Sequence, residues 1–276
     1  MKKILFPTDF SAASINAFVY ALHIAKRLHA EIITVHIFQV PIGNYLDDGD
    51  FLSENYNISE LGNFENYKDE VPKLKAIAES ENCNHIKMSH ILHSGVVVDD
   101  ILYFAEKENA DYIIMGTKGA SGLKETFIGS ITEKIMSRAS AIVLAIPENC
   151  RYNPISKILF LTQFQEKHFT YLEKLLKIAK QFDASIDVLN VVDVHDHTAM
   201  ETVNHWKKAF PSSTVHFHVI ASKDPADTVL DFANLHMTDV IVVQVKYKSF
   251  FEQLFFNSMS RQLAFHSEIP IMKMHS

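Results

Sequence analysis

The chain repeats itself. Lys3-Ile4-Leu5-Phe6-Pro7-Thr8-Asp9-Phe10 recurs 154 residues later as Lys157-Ile158-Leu159-Phe160-Leu161-Thr162-Gln163-Phe164. Asp111-Tyr112-Ile113-Ile114-Met115 recurs 128 residues later as Asp239-Val240-Ile241-Val242-Val243. A unit written twice is expected to fold twice, so the 276 residues are read as two like domains, 1–150 and 151–276. Their seam falls in Pro147-Glu148-Asn149-Cys150-Arg151-Tyr152-Asn153-Pro154, which is polar and bounded by prolines. The shorter second offset makes the first copy the longer one, mainly through segment 41–70, which holds eight acids against the single base Lys68.

Within each copy, apolar runs alternate with helical patterns. Glu31–Phe38, Ile86–Leu92, Asp111–Met115 and Ile142–Ile146 are predicted strands of the first copy. Ile158–Leu161, Ile186–Val192, Thr214–Ile220, Val240–Val245 and Ile269–Lys273 are those of the second. Between the first strands, Ala17, Ala21, Ile24, Ala25 and Leu28 mark one face of a helix opened by Ser11, and Val98, Ile101, Leu102 and Ala105 mark another. Strands apolar on both sides and separated by helices belong in parallel sheets covered on both faces. The expected fold is α/β: two tandem doubly wound domains, each on a five-stranded parallel sheet. Ligands of such sheets sit at the carboxyl ends of the strands, where strand order reverses.

Chemistry concentrates after one strand. Gly116-Thr117-Lys118-Gly119 is followed, nine residues on, by Gly129-Ser130 and a helical start at Ile131-Thr132-Glu133-Lys134-Ile135-Met136. Glycine permits positive φ and leaves no Cβ to obstruct a ligand. Helix-leading N–H groups are unpaired and carry partial positive charge. Strand, glycine loop and helix N-terminus together make an anion cradle suited to phosphate. Ser130 would serve as a phosphate ligand, an N-cap, or both. Lys118 would meet phosphate or face water. Asp9, ending the first strand, would cap a turn ahead of Ser11 or touch a ligand.

The spacing Gly-x2-Gly-x9-Gly-Ser resembles the nucleotide-binding motif of the ATP-binding branch of the universal stress protein family. Ile4–Ser11 is similar to that family's first strand with its acidic residue, and Val35-His36-Ile37 to the end of its second. The resemblance implies a Rossmann-like fold and a cofactor, ATP or another adenine nucleotide, with or without Mg. It implies a binding set of Thr8, Asp9, Ile37, Met115, Gly116, Lys118, Gly119, Gly129, Ser130 and Ile131. Asp9 would lie near the adenosine and the backbone of Ile37 near the adenine. It further implies domains paired through their last strands, here Ala141–Ile146 and Ile269–Met274, within the chain or in a homodimer. In the second copy Gln163 replaces Asp9, Gln244 and Tyr247 replace Gly116 and Gly119, and Asn257 replaces Gly129. With Phe250, Phe251, Phe255 and Phe256 nearby, that half reads as a relic that no longer binds nucleotide.

Other classes find less support. The net charge of −7 resides wholly in segment 41–70, and no basic face points to nucleic acid. No apolar run reaches the ~20 residues of a membrane span, and the N-terminus is interrupted too early for a signal peptide. With two cysteines only, Cys83 and Cys150, a cytoplasmic location is expected. The 15 histidines, densest at His195-Asp196-His197 with His205 and at His85, His90 and His93, match no strong zinc spacing. No nucleophile elbow or Walker A lysine is present. A regulatory stress-response nucleotide binder is therefore preferred over a slow ATP hydrolase or phosphotransferase and over a ligand-free scaffold. Segment 41–70 is expected to be a mobile acidic excursion at the mouth of the site, with at most a short helix near Phe51–Glu54.

Overall fold

The computed structural model describes residues 1–39, 49–117, 129–192, 199–244 and 269–274. The first half runs β1 (Lys3–Pro7), α1 (Ala12–Leu28), β2 (Glu31–Phe38), α2 (Gly49–Ser80), β3 (Met88–Ser94), α3 (Val97–Lys107), β4 (Tyr112–Gly116), α4 (Ser130–Arg138) and β5 (Ile142–Ile146). The second runs β6 (Lys157–Leu161), α5 (Glu166–Phe182), β7 (Ser185–Val192), α6 (Ala199–Ala209), β8 (Val215–Ala221), α7 (Pro225–Leu235), β9 (Val240–Gln244) and β10 (Ile271–Met274). Each predicted strand coincides with an observed one to within about two residues at either end.

The strands form one ten-stranded sheet in the order β3-β2-β1-β4-β5-β10-β9-β6-β7-β8. Both halves are parallel internally. They meet in an antiparallel pairing of β5 with β10, in the register Ile271↔Ala145, Met272↔Leu144, Lys273↔Val143. Alternation along the strands sends side chains to two cores. Ile4, Phe6, Ile32 and Ile114 pack under α1 and α2, whereas Leu5, Ile33, Ile113 and Met115 pack under α3 and α4. The second half does the same with Ile158 and Phe160 on one face and Leu159 and Leu161 on the other.

The repeat extends to backbone conformation. Positive φ occurs at Phe10 and Phe164, at His29 and Asp183, and at Asn109 and Met237, pairs separated by the same two offsets as the sequence repeat. Asp111 accepts the N–H of Lys3 at 2.8 Å, and Asp239 accepts the N–H of Lys157 at 2.8 Å. Between the halves, the chain around residue 150 is pinned to α1: Asn16 Nδ2 donates to the carbonyls of Pro147 (3.0 Å) and Cys150 (2.7 Å).

The acidic segment departs from expectation. From Gly49 onward it is the leading part of α2, a single 32-residue helix; residues 40–48 lie outside the described residues. Tyr67, Leu74 and Ala78 are buried at helical spacing, while Glu65 and Asp69 face solvent. Glu65 and Asp69 are thus on the wet side of the helix, opposite its buried stripe. Pro72 sits inside it on the exposed face, where water can take the carbonyl that proline leaves without a donor. Among the described residues, no helix is long and apolar enough to cross a membrane.

Candidate functional site

The strand order places a reversal between β1 and β4, since the chain leaves β1 toward β2 and β3 and then returns to β4 on the other side. The strand ends part there, and a cavity of about 190 Å³ opens. The end of β1 contributes Pro7, Thr8 and Asp9, and β2 contributes Val35 and Ile37. Met115 and Gly116 come from β4, Thr117 directly follows it, and Gly129, Ser130, Ile131 and Thr132 come from the head of α4. Ser14 of α1 and Val97 and Ile101 of α3 complete the wall.

Eight of the ten residues expected in a binding set therefore border one cavity; Lys118 and Gly119 lie outside the described residues. Pro7, Ser14, Val35, Val97, Ile101, Thr117 and Thr132 also line the cavity and are absent from the expected set. Period two along β2 couples Val35 to Ile37, and the i, i+4 pair Val97 and Ile101 shares a helix face, so those three were open to inference. The inward turn of Ser14 and Thr132 depends on tertiary contacts.

Those contacts are well defined. The Thr8 hydroxyl lies 2.8 Å from that of Ser14 and accepts the N–H of Phe10 at 3.0 Å. The Thr8 N–H donates to Val35 O at 2.9 Å, and β1 then leaves the sheet. By strand alternation the main-chain groups of Ile37 point to the side that β1 has vacated, toward the cavity. Asp9 is exposed, and its Oδ1 accepts the Ser11 N–H (3.1 Å) and hydroxyl (2.6 Å). Ser11 in turn caps α1 by accepting the Ser14 N–H. The turn-forming role of Asp9 is thus realised while the residue also lines the cavity.

The head of α4 corrects one expectation. Its N-cap is Gly129, in extended conformation (φ −68°, ψ 155°), and Ser130 is the first helical residue. Glycine has no side chain to bond the leading N–H groups, so the N-cap residue itself makes no side-chain cap where the helix borders the cavity. The glycines' role is corrected as well. Among the described residues no glycine has positive φ, so neither Gly116 nor Gly129 is there for unusual dihedrals. The position of α4 is fixed by three bonds. Thr132 Oγ1 donates to Gly116 O at 2.9 Å, the Gly129 N–H to Thr117 O at 2.6 Å, and the Thr117 N–H to Ile146 O at 2.9 Å.

The second half builds the corresponding corner differently. His168, 2 % exposed, stands where the first half has Ser14, and its Nδ1 lies 3.0 Å from Thr162 Oγ1. Gln244 replaces Gly116 and is buried. Tyr247, Asn257 and the neighbouring phenylalanines fall outside the described residues.

Known proteins share this architecture. A sequence profile of the Universal stress protein family matches residues 1–147. Universal stress protein MJ0531 of Methanocaldococcus jannaschii is 34% identical over 146 residues, covering 52% of this chain and 81% of that protein. MJ0577 of the same organism is 28% identical over 156 residues, covering 52% and 94%. The crystal structure of a universal stress protein from Archaeoglobus fulgidus superposes with a TM-score of 0.70 at 20% identity, covering 99% of this chain and 96% of that one. The profile match, the curated relatives and a doubly wound fold shared over the whole length agree: this chain belongs to the universal stress protein family.

Proposed function

We propose that the cavity at the ends of β1, β2 and β4 binds ATP or a related adenine nucleotide, and that the protein is a stress-response regulator switched by this ligand. The observation that carries the reading is the head of α4. A helix N-terminus with a glycine at its N-cap borders a cavity at the sheet's reversal point. Unpaired N–H groups and the helix dipole favour an anion there, and phosphate is the usual one. The residues present fit the ligand. Ser130 and the N–H groups behind Gly129 would hold phosphate. The main chain of Ile37 would meet the base, and Asp9 would accept from the ribose. Lys118 and Gly119 belong to the same proposal. Magnesium, if it accompanies the nucleotide, would be held chiefly by the phosphates.

The second half serves in this reading as a built-in partner. It pairs β10 with β5 and covers the edge that a single domain would leave open. Gln163 and Gln244 in place of Asp9 and Gly116 support one nucleotide per chain. The proposed location is the cytoplasm.

Mass spectrometry of the purified protein and titration calorimetry with ATP test the proposal. One adenine nucleotide per chain is expected, with binding abolished in a folded Gly129→Val variant, whose side chain would intrude between the helix head and the phosphate. Two equivalent sites, or unchanged affinity in that variant, would refute it. No saturable binding would leave the scaffold reading, and magnesium-dependent turnover the hydrolase reading.

A further inference from the structure

Asp187, His218 and His236 converge in the second half, on three different elements. Asp187 is the third residue of β7, His218 lies in the middle of β8, and His236 follows the last turn of α7. Asp187 Oδ1 is 2.7 Å from His218 Nε2, and Asp187 Oδ2 is 3.7 Å from His236 Nδ1. One ligand atom from each of the three residues falls within 4.8 Å of the others. Asp187 is 7 % exposed, whereas both imidazoles remain partly open to solvent.

The fold does not require this polar group. Matching strand registers (Lys3↔Glu31 with Lys157↔Ser185, and Ile33↔Ser89 with Asp187↔His216) align Asp187 with Ile33 and His218 with Ile91. Both isoleucines pack in the core of the first half. The second half has replaced an apolar contact with a buried carboxylate and an imidazole, a change that costs several kcal/mol unless the charge is well compensated. The aromatic neighbour is retained: Phe104 aligns with Phe232, and both are buried. Phe232 stacks on the ring of His236 (centroids 3.8 Å apart, planes 12° apart) and meets that of His218 edge-on at 4.8 Å. Lys157 Nζ donates to His236 O at 2.9 Å, anchoring the residue that ends α7. Both imidazoles are thus held in orientation by packing, as a pre-formed site requires.

We infer that Asp187, His218 and His236 form a binding site for a divalent transition-metal ion of the zinc type. Two imidazoles and one carboxylate are donors suited to such ions, and three protein ligands leave a further position for water. Metal–ligand bonds near 2.0 Å at a tetrahedral centre set ligand atoms about 3.3 Å apart. The two contacts of 2.7 and 3.7 Å are made to different oxygens of Asp187, and one ligand atom per residue falls within 4.8 Å of the others, so the partly exposed imidazoles draw inward by up to about 1.5 Å to hold the ion. On binding, the ion takes the place of the Nε2 proton between His218 and Asp187, and the neutral imidazole carries its one proton on Nδ1 instead. The site lies near the amino end of β7, in the other half of the chain; because β5 and β10 run antiparallel this is the same end of the sheet as the cavity, but β5, β10, β9 and β6 stand between β4 and β7. It is therefore independent of the proposed nucleotide.

The test is titration of the metal-stripped full-length protein with Zn2+ by calorimetry, with Co2+ absorbance reporting tetrahedral nitrogen and oxygen ligation. One ion per chain is expected. His236→Gln should weaken Zn2+ binding by roughly 100-fold or more, beyond the ~10–100-fold typical of groups that only support a ligand. The double variant Asp187→Ile/His218→Ile restores the apolar pair of the first half, so it should fold and lose the site. Circular dichroism matching the native protein verifies the fold. Zn2+ binding that survives in a folded double variant overturns the inference, as does an absence of saturable binding below roughly 0.1 mM in the native chain.

Discussion

Lys273 lies on β10 at the antiparallel seam, opposite Val143, and is 2 % exposed. Its Nζ donates at 3.0 Å to the carbonyl of Ala139, the C-cap of α4. The second half thereby caps the negative end of the helix whose positive end borders the cavity. Burial lowers the Lys273 pKa from its usual 10.5 to about 8. The unfolded chain thus binds this proton more tightly than the folded one. Stability falls below the high-pH level once the lysine must be charged, and it recovers as pH rises from about 8 toward 10.5. The shift costs about 3 kcal/mol at pH 7, of which about 2 kcal/mol is recovered by pH 9.5. Lys273→Met fills similar volume without the charge, so its stability lacks this pH-dependent contribution. The assay is urea unfolding of both proteins at several pH values from 7 to 9.5, followed by circular dichroism and by the fluorescence of Trp206, the chain's single tryptophan. Taking the difference between the two proteins cancels tyrosines and cysteines that titrate in the same range. The expected result is a difference that shifts in favour of the native protein by about 2 kcal/mol across the window. Parallel pH profiles would show that Lys273 stays charged without penalty, and the account of Lys273 as a desolvated charge at the seam would fail.

Three further substitutions probe the site and the contact between halves. Asp9→Asn keeps an acceptor for Ser11, so unfolding free energy should change by less than about 0.5 kcal/mol while calorimetry shows weaker adenine-nucleotide binding; equal affinity would return Asp9 to a purely turn-forming role. Thr132→Val removes the buried bond to Gly116 O and should cost about 1–3 kcal/mol by urea unfolding, with a parallel loss of nucleotide affinity as the head of α4 loosens; a neutral result would show that α4 is positioned by other contacts. Arg27 bonds Gln181 O and pairs with Asp183 across the two halves, but both charged groups are largely exposed. Arg27→Ala should therefore cost no more than about 1 kcal/mol, less in high salt, and a larger loss would mark this contact as a main tie between the halves.

Much of this protein was legible in its sequence because it is written in local patterns. Runs such as Ile142–Ile146 and Val240–Gln244 are apolar on both sides of the strand, which only a sheet covered on both faces can satisfy. The repeat predicted two like halves, and it holds in the positive φ of Phe10 and Phe164. The cavity-lining residues were accessible because α/β topology directs strand ends to one edge, so Asp9 and Gly116 had to come near each other. What the sequence left open depends on partners distant along the chain. The hydropathy of Ala141–Ile146 and Ile269–Met274 marks both as strands, but the register that joins β5 to β10 arises from side chains meeting across the seam. Segment 41–70 read as an excursion because its acids dominate composition; tertiary packing decided the matter, since Tyr67, Leu74 and Ala78 give α2 a face to bury. Ser130 was a plausible N-cap until the geometry assigned that place to Gly129, a difference of one residue that local propensity does not resolve. Asp187, His218 and His236 show no metal spacing because their ligand atoms meet only after β7, β8 and α7 have packed. Sequence determined the elements and their faces, through interactions a few residues apart; the tertiary structure alone decided which distant groups share a site, because that proximity is set by packing and not by position along the chain.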